Sequence, residues 1–322
     1  MAQSDMVIFD EFFQPAIYET LSQMVNQFNA ASSGAIQLVT AANIGDYLSN
    51  SFYDALQSTR RRVDRYAANA AVATTQLTQT EHVAVKVAGG FGPIGYEPAQ
   101  MTWLRKPTAE AIEIISRQFA EAVLQDQLNT AILAAVTAIE NQADATNSVA
   151  GAGVITQSVI NGSHAKFGDM SQMIVADVMT GSMFHKLIGQ ALLNAEQLFV
   201  SSNVRVVNIL GKTFVITDAP ALLATVPTPD QDKVLSLVSG GVVIRDPADP
   251  ITNIETNNGT ERITTTVQMD YDFTVDLKGY AWDKTSGGAS PTDADLGTGA
   301  NWDRDVSNVK QTAGTIAIGD IV

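Results

Sequence analysis

The sequence predicts an elongated α+β protein. A long amphipathic helix is predicted over residues 108–141, where apolar residues recur at spacings of three and four. A strand is predicted over residues 267–278, where apolar and polar residues alternate strictly. We expect one face of this strand to be exposed to solvent, and its length is about twice the usual strand length. Between them, residues 160–260 mix short strand patterns with a helix pattern, which predicts a compact lobe. A long helix and a long strand on opposite sides of such a lobe imply an elongated molecule.

Composition and charge exclude several classes of protein. The 322 residues include 19 Lys and Arg, 34 Asp and Glu and no Cys, so the net charge is −15. Such a surface repels phosphate, which argues against tight or sequence-specific nucleic-acid binding. The lack of cysteine excludes disulfides, thiolate metal sites and cysteine nucleophiles. The N-terminal stretch MAQSDMVIFDEFF is acidic, unlike a signal peptide, and the longest unbroken apolar run, residues 131–136, is too short to span a bilayer. We therefore expect a soluble intracellular protein.

The first 59 residues are predicted to form an acidic arm. They contain no Lys or Arg. An amphipathic helix is indicated there by apolar residues at helical spacing, namely Phe12, Ile17, Leu21, Met24, Val25 and Phe28.

Four arginines follow the arm directly, in the stretch STRRRVDRY: Arg60, Arg61, Arg62 and Arg65. One interpretation is a basic patch that faces solvent. The other is a surface that meets acidic residues on another copy of the chain. The abrupt change from an arm without basic residues to four arginines favours the second interpretation.

Residues 72–104 are predicted to form a long β-hairpin or extended loop that contains a string of glycines. Gly90, Gly92 and Gly95 match the G-x-G-x-x-G pattern of dinucleotide-binding loops. Such a loop needs a helix directly after the third glycine, yet Gly95 is followed by Tyr-Glu-Pro, and Pro93 lies inside the motif. We expect no nucleotide site here, and we expect the glycines and Pro93 to shape bends in the backbone.

The lobe and the C-terminal region are predicted from shorter patterns. A strand is expected at 173–179, a helix at 182–199, and a pair of strands in each of 204–220 and 233–247. After Trp282 the chain is rich in Gly, Ser, Thr and Asp. We expect that tail to extend over the surface of its own or a neighbouring subunit.

The sequence contains little that supports catalysis. His82, His164 and His185 have no spacing that makes a metal pair, and each is interpreted as a structural or surface residue. There is no nucleophile elbow, no Walker loop and no H-E-x-x-H motif, and the acidic stretches 246–249 and 293–295 do not match an EF-hand loop. We therefore predict no catalytic residue, no cofactor, no metal site and no enzymatic activity.

The order of these elements resembles the major capsid proteins of tailed bacteriophages, whose fold was first described for phage Hong Kong 97. The opening IFDEFFQPAIYETL is similar to capsid N-termini. Four further stretches carry the resemblance in the family's order: FGDMSQMIVADVMTGSMFHKL (167–187), NILGKTFVITDAPAL (208–222), VLSLVSGGVVIRDPADP (234–250) and TTVQMDYDFTVDLKGYAWD (265–283).

The resemblance implies a Hong Kong 97-like α+β fold, with an N-terminal arm, an extended β-hairpin loop that lies over the neighbouring subunit, a long spine helix, and peripheral and axial domains. It divides the chain into the N-terminal arm and start of the peripheral domain (1–59), the extended loop (60–104), the spine helix and peripheral domain (105–164), the axial domain (165–262), the returning strand of the peripheral domain (263–283) and a C-terminal extension (284–322).

The resemblance also implies a function. The chain is expected to be a major capsid protein that forms hexamers and pentamers of an icosahedral head shell around double-stranded DNA, which it encloses without sequence-specific binding. Expected partners are a portal and a scaffolding protein, and the sequence leaves open whether a decoration protein binds outside. Since the acidic arm begins at residue 1, the scaffolding protein is expected to be a separate chain. Assembly is expected in the bacterial host cytoplasm, without a membrane. Candidate residues for contacts between subunits are Arg60, Arg61, Arg62, Arg65, Gly90, Gly92, Pro93 and Gly95.

Two alternatives remain open at this point. A tail or other virion structural protein that forms rings or tubes would suit the long amphipathic strand, but the long helix fits it poorly. A nucleotide-dependent enzyme is the third hypothesis, and the context of the glycine motif argues against it.

Overall fold

Five helices and two eight-stranded sheets make up the part of the chain that the computed structural model describes. That part is residues 3–41, 43, 45–53, 60–74, 76, 78–96, 108–190, 195–200, 204–209, 212–225, 230–247, 250–259 and 261–321. The helices are α1 (Gln3–Ala31), α2 (Thr108–Glu140), α3 (Gln157–His164), α4 (Gly181–Gln190) and α5 (Asp293–Leu296).

The first sheet has the strand β13 (Thr264–Leu277) at its centre. One edge of β13 pairs antiparallel with β3 (Gln79–Tyr96), and the other edge pairs with β11 (Val242–Asp246) and β12 (Ile251–Asn257). The sheet is completed by β1 (Ile36–Thr40) beside β11, β2 (Tyr47–Tyr53) beside β3, β14 (Tyr280–Trp282) beside β13 and β15 (Trp302–Arg304) beside β14.

The alternation predicted for residues 267–278 is confirmed in β13. Met269, Phe273 and Val275 are buried, whereas Gln268 and Asp270 are exposed. The opposite face of β13 is exposed to solvent only toward the N-terminal end of the strand. Further along the strand, this face lies against a cluster of charged side chains.

The second sheet draws its strands from distant parts of the chain. Its order is β4 (Thr146–Ser148), β16 (Gly314–Asp320), β10 (Gln231–Val238), β5 (Ile174–Met179), β8 (Lys212–Thr217), β7 (Val204–Ile209) and β6 (Ala195–Val200), with β9 (Leu223–Ala224) beside β10. The predicted strand at 173–179 and the predicted strand pair within 204–220 are confirmed as β5 and as the antiparallel β7 and β8.

The long predicted helix is confirmed as α2, which lies in the core. Leu128, Ile132 and Val136 are buried in one apolar cluster that also includes residues of α1 and of both sheets, among them Ile17 of α1. By length and composition, residues 116–140 could cross a bilayer, but most of their side chains are buried inside this chain. The amphipathic pattern predicted in the arm is confirmed as α1, and at least its C-terminal half packs on α2 and belongs to the same core.

One predicted helix is wrong in its second half. The helix expected over 182–199 ends as α4 at Gln190, and Ala195–Val200 forms β6. These residues pair antiparallel with β7, so hydrogen bonding to a neighbouring strand outweighs their local helical preference.

Two expectations about the C-terminal half are wrong as well. The strands within 233–247 are not paired with each other, because β10 belongs to the second sheet and β11 to the first. The tail after Trp282 does not stay on the surface as expected, although most of residues 284–300 are exposed. It forms β15 and α5, and its last strand, β16, is buried along its whole length between β4 and β10.

Candidate subunit interface

The four predicted arginines lie on a segment that projects only exposed side chains. All residues of 60–74 are exposed, and we call this stretch the arginine segment. Its apolar members are exposed too, with Val63 at 65% and Tyr66 at 92% of full accessibility. Large apolar side chains at such exposure gain nothing from the fold of their own chain, so they are available to a partner.

The arginines of this segment are not neutralised by the rest of the described chain. Arg60, Arg61, Arg62 and Arg65 form no ion pair with any described residue, and the guanidinium of Arg65 lies 5.9 Å from the ring centre of its neighbour Tyr66. Elsewhere Arg117, Arg245 and Arg304 each contact a carboxylate. The segment therefore presents positive charge on a protein whose net charge is −15.

The glycine string lies inside β3. Gly90 is paired with Asp270, and a Cβ at Gly90 would lie 2.7 Å from an oxygen of that carboxylate. Gly92 has φ +104°, and a Cβ there would lie 2.7 Å from the carbonyl oxygen of Val267. Gly95 is paired with Thr266, so no helix begins at the third glycine of the motif. Close approach of two strands within one chain thus explains Gly90 and Gly92.

The buried side of β3 and β13 is fixed to α2 by aromatic side chains. Phe91 stacks on Tyr271 at 5.6 Å between ring centres and contacts Phe119 edge-on at 6.4 Å. The Tyr271 hydroxyl donates a hydrogen bond of 2.6 Å to Asp126. Burial raises the pKa of the Asp126 carboxyl. The exposed side, with Gly90, Gly92, Pro93 and Gly95, is therefore a surface on a firmly packed support.

Replacing Gly92 by alanine is expected to lower the free energy of unfolding by about 1–3 kcal/mol, because an L-residue is strained at this φ and its Cβ meets a backbone oxygen. Gly95→Ala is the matched control, since its Cβ would meet only the Thr266 methyl carbon at 3.9 Å. Urea unfolding of both variants measures the difference. Equal stability of the two would contradict the strand geometry.

The three histidines occupy different surroundings. His164 is buried, with Nε2 2.8 Å from Asp177 and 3.1 Å from the Ser236 hydroxyl, which confirms a structural role. His185 is exposed and contacts Phe184 edge-on, as expected of a surface residue. His82 lies between two carboxylates, an arrangement that sequence patterns did not reveal.

Within the residues that the structure describes, no group of three His, Asp or Glu side chains is placed to hold a metal ion. The polar contacts found there connect strands and helices to each other. This part of the chain provides surfaces and ion pairs, which suits a protein that binds other proteins.

Solved structures of phage proteins share this architecture. A chain from the capsid asymmetric unit of cyanophage Pam1 is 13% identical, over 91% of this chain and 92% of that chain, with a TM-score of 0.53. A chain from Mycobacterium phage Cain is 12% identical, over 91% and 90%, with a TM-score of 0.50. No curated protein matches by sequence. The fold is that of phage capsid proteins, and the predicted Hong Kong 97-like α+β fold is confirmed.

The family described as Gp13-like, Major capsid protein 13-like, matches residues 5–316. The chain belongs to this family, and it is a structural protein of the icosahedral head shell of tailed phages. The expected location in the virion capsid is confirmed with it. This finding favours the head-shell hypothesis over the alternative of a tail or other virion protein that forms rings or tubes.

Proposed function

We propose that the chain builds a closed shell of hexamers and pentamers around double-stranded DNA, and that the arginine segment joins neighbouring subunits in it. One observation carries the proposal: Arg60, Arg61, Arg62 and Arg65 are exposed and without an ion pair in the described chain. Because the net charge of the chain is −15, every other copy carries an excess of carboxylates with which these exposed arginines can pair.

The energetics of such a contact suit a shell. A single exposed ion pair contributes about 0–1 kcal/mol, which is too weak to join two subunits alone. In a closed assembly each contact is repeated by symmetry, and once one contact forms the next is effectively intramolecular. Many weak ion pairs then stabilise the complete shell, while a subunit that has joined incorrectly can still dissociate. The glycine surface of β3 is the second element of this contact, with Gly90, Gly92, Pro93 and Gly95 on its exposed side.

The rest of the proposal concerns partners and domains. A separate scaffolding protein guides assembly in the bacterial cytoplasm, and a portal occupies one vertex. A decoration protein on the outside is a further candidate partner. The negative net charge favours DNA that is enclosed without sequence-specific contacts. The chain carries out no catalysis and needs no cofactor. We keep the division into arm (1–59), extended loop (60–104), spine helix (105–164), axial domain (165–262), returning strand (263–283) and C-terminal extension (284–322) as part of this proposal, with strands β15 and β16 of the extension paired into the two sheets.

Electron microscopy of the purified chain, with and without a candidate scaffolding protein, tests the proposal. Closed shells of two capsomer types are expected. Rings or open tubes would instead support an assembly that does not close. A small discrete species that binds a nucleotide in a titration would overturn the proposal of a purely structural protein.

A further inference from the structure

His82 contacts a carboxylate with each of its ring nitrogens. Nε2 lies 2.8 Å from Oδ1 of Asp276, and Nδ1 lies 2.5 Å from Oδ2 of Asp305. A neutral imidazole has one N–H and could donate to only one of the two. Both contacts are hydrogen bonds when the ring is the doubly protonated imidazolium, so with both carboxylates ionised the geometry selects the charged form of His82.

The surroundings of His82 are half-buried and electrically balanced. Asp276 also receives a hydrogen bond of 2.9 Å from Arg245 on β11, so two cations face two carboxylates. The side chain of Asp305 is only 3% exposed. The cluster lines a cleft of about 370 Å³, which Asn50 of β2 and Lys278 also line. On the same side of β3, Lys86 pairs with Asp272 at 3.5 Å and does not reach the cluster.

The position of His82 connects this cluster to the arginine segment. His82 is the fourth residue of β3, the strand that follows the segment in the chain. Asp276 lies at the end of β13, and Asp305 directly follows β15. The His82 ring therefore connects three parts of the chain that are far apart in sequence. Through this ring, the start of β3 is held to the centre of the first sheet and to the C-terminal region.

We propose that the His82 imidazolium is a latch: it fixes the start of β3, which we call the root of the arginine segment, to the rest of the first sheet. Loss of the proton from His82 loosens this root. The deprotonated ring would leave Asp276 paired with Arg245 and Asp305 without an ion pair among the described residues, and one of the two contacts of the ring would be lost. The effect on shells rests on the proposed function. The latch itself is a property of the unassembled chain, so the two can fail separately.

The direction of the pH dependence follows from the pKa shifts of His82 and Asp276. Hydrogen bonds to Asp276 and Asp305 raise the pKa of His82 from 6.5 to about 9, despite its burial. Its contribution to stability is therefore fully present below pH 6.5 and is lost as the pH rises through 9. Burial alone would raise the pKa of Asp276, but the hydrogen bonds from His82 and Arg245 outweigh it and lower the pKa below 3.8. The contribution of Asp276 is present above pH 3.8 and is lost in stronger acid, so the latch is closed at neutral pH.

An NMR titration of the histidine rings in the intact, unassembled chain is the first test. We expect one of the three imidazoles to titrate near pH 9, and we expect that signal to be missing in His82→Gln. Asp305→Asn, which keeps the shape of the side chain and removes its charge, is expected to lower the midpoint of that signal. Titration of the His82 ring near 6.5, the ordinary value, would overturn the proposal.

Hydrogen exchange of residues 79–84 is the second test, with correction for the intrinsic pH dependence of exchange. In the natural chain we expect exchange there to rise by at least about tenfold between pH 7 and pH 9.5. In His82→Gln it should be fast already at pH 7 and rise no further, whereas His185→Gln, a change at an exposed histidine, should behave as the natural chain does. If His82→Gln does not fold, Asp305→Asn takes its place in the comparison. Unchanged protection of residues 79–84 in the natural chain at pH 9.5 would overturn the latch.

Discussion

Gly314→Ala is expected to lower the free energy of unfolding by about 3 kcal/mol or more, and to prevent accumulation of the folded chain at elevated temperature. Gly314 begins β16, the buried strand beside β10, and is paired with Leu237. A Cβ on it would lie 2.0 Å from the carbonyl oxygen of Ser236 and 3.1 Å from the Cα of Leu237. Both are backbone atoms, so no side-chain rotation relieves the clash, and the two strands must separate.

The control for this substitution is Gly153→Ala. Among the described residues no atom lies within 4 Å of the Cβ that it would add, and the backbone of Gly153 is not in the left-handed region. It is expected to change the free energy of unfolding by less than about 0.5 kcal/mol. Thermal and urea unfolding of the two variants give the comparison. Equal stability of Gly314→Ala and the natural chain would show that β16 does not lie against β10 as described.

The contrast between α2 and β16 shows which parts of the fold could be predicted. The helix and the strand β13 were located to within a few residues, because each repeats its apolar pattern over many residues. β16 has only seven residues and follows a stretch rich in Gly, Ser, Thr and Asp, so its alternation was too short to recognise. Its burial depends on β10, about 80 residues earlier in the chain, and a local pattern cannot indicate such a partner.

The candidate sites divide in the same way. The arginine segment was predicted, since a sudden change of charge is visible in the sequence, and its exposure in the structure agrees with a surface role. Its contact with a neighbouring subunit stays a prediction. The cluster of His82, Asp276 and Asp305 was not predicted. Alternation in β13 placed Asp276 on the polar face, but only the folded chain shows that Asp305 and His82 lie beside it.

Reversal of Arg60, Arg61, Arg62 and Arg65 to glutamate is expected to abolish closed shells while the chain remains folded. Each reversal changes the local charge by two and places a carboxylate where an acidic surface of a neighbour is proposed, so attraction becomes repulsion. The four side chains are exposed and form no ion pair in the described chain, so the free energy of unfolding should change by less than about 0.5 kcal/mol per residue. Electron microscopy and sedimentation measure the assembled fraction, and circular dichroism measures the fold.

The matched control replaces the same four arginines by lysine, which preserves the charge but not the planar guanidinium. If charge alone drives the contact, the lysine variant forms shells at close to the natural yield. If bidentate pairing matters as well, its yield falls but remains above that of the glutamate variant. Shells of natural yield from the folded glutamate variant would contradict the proposed contact.

Ionic strength separates this contact from the apolar ones. The Debye length falls from about 10 Å at 0.1 M salt to about 3 Å at 1 M, so a surface joined by exposed arginines should assemble more slowly as salt is added. In the glutamate variant added salt acts in the opposite direction, because it screens the new repulsion. Partial recovery of its shells at high salt would show that the apolar residues of the segment, Val63 and Tyr66, still find their partner surface. If the glutamate variant stays unassembled at every salt concentration, assembly needs the arginines for specific hydrogen bonds as well as for their charge.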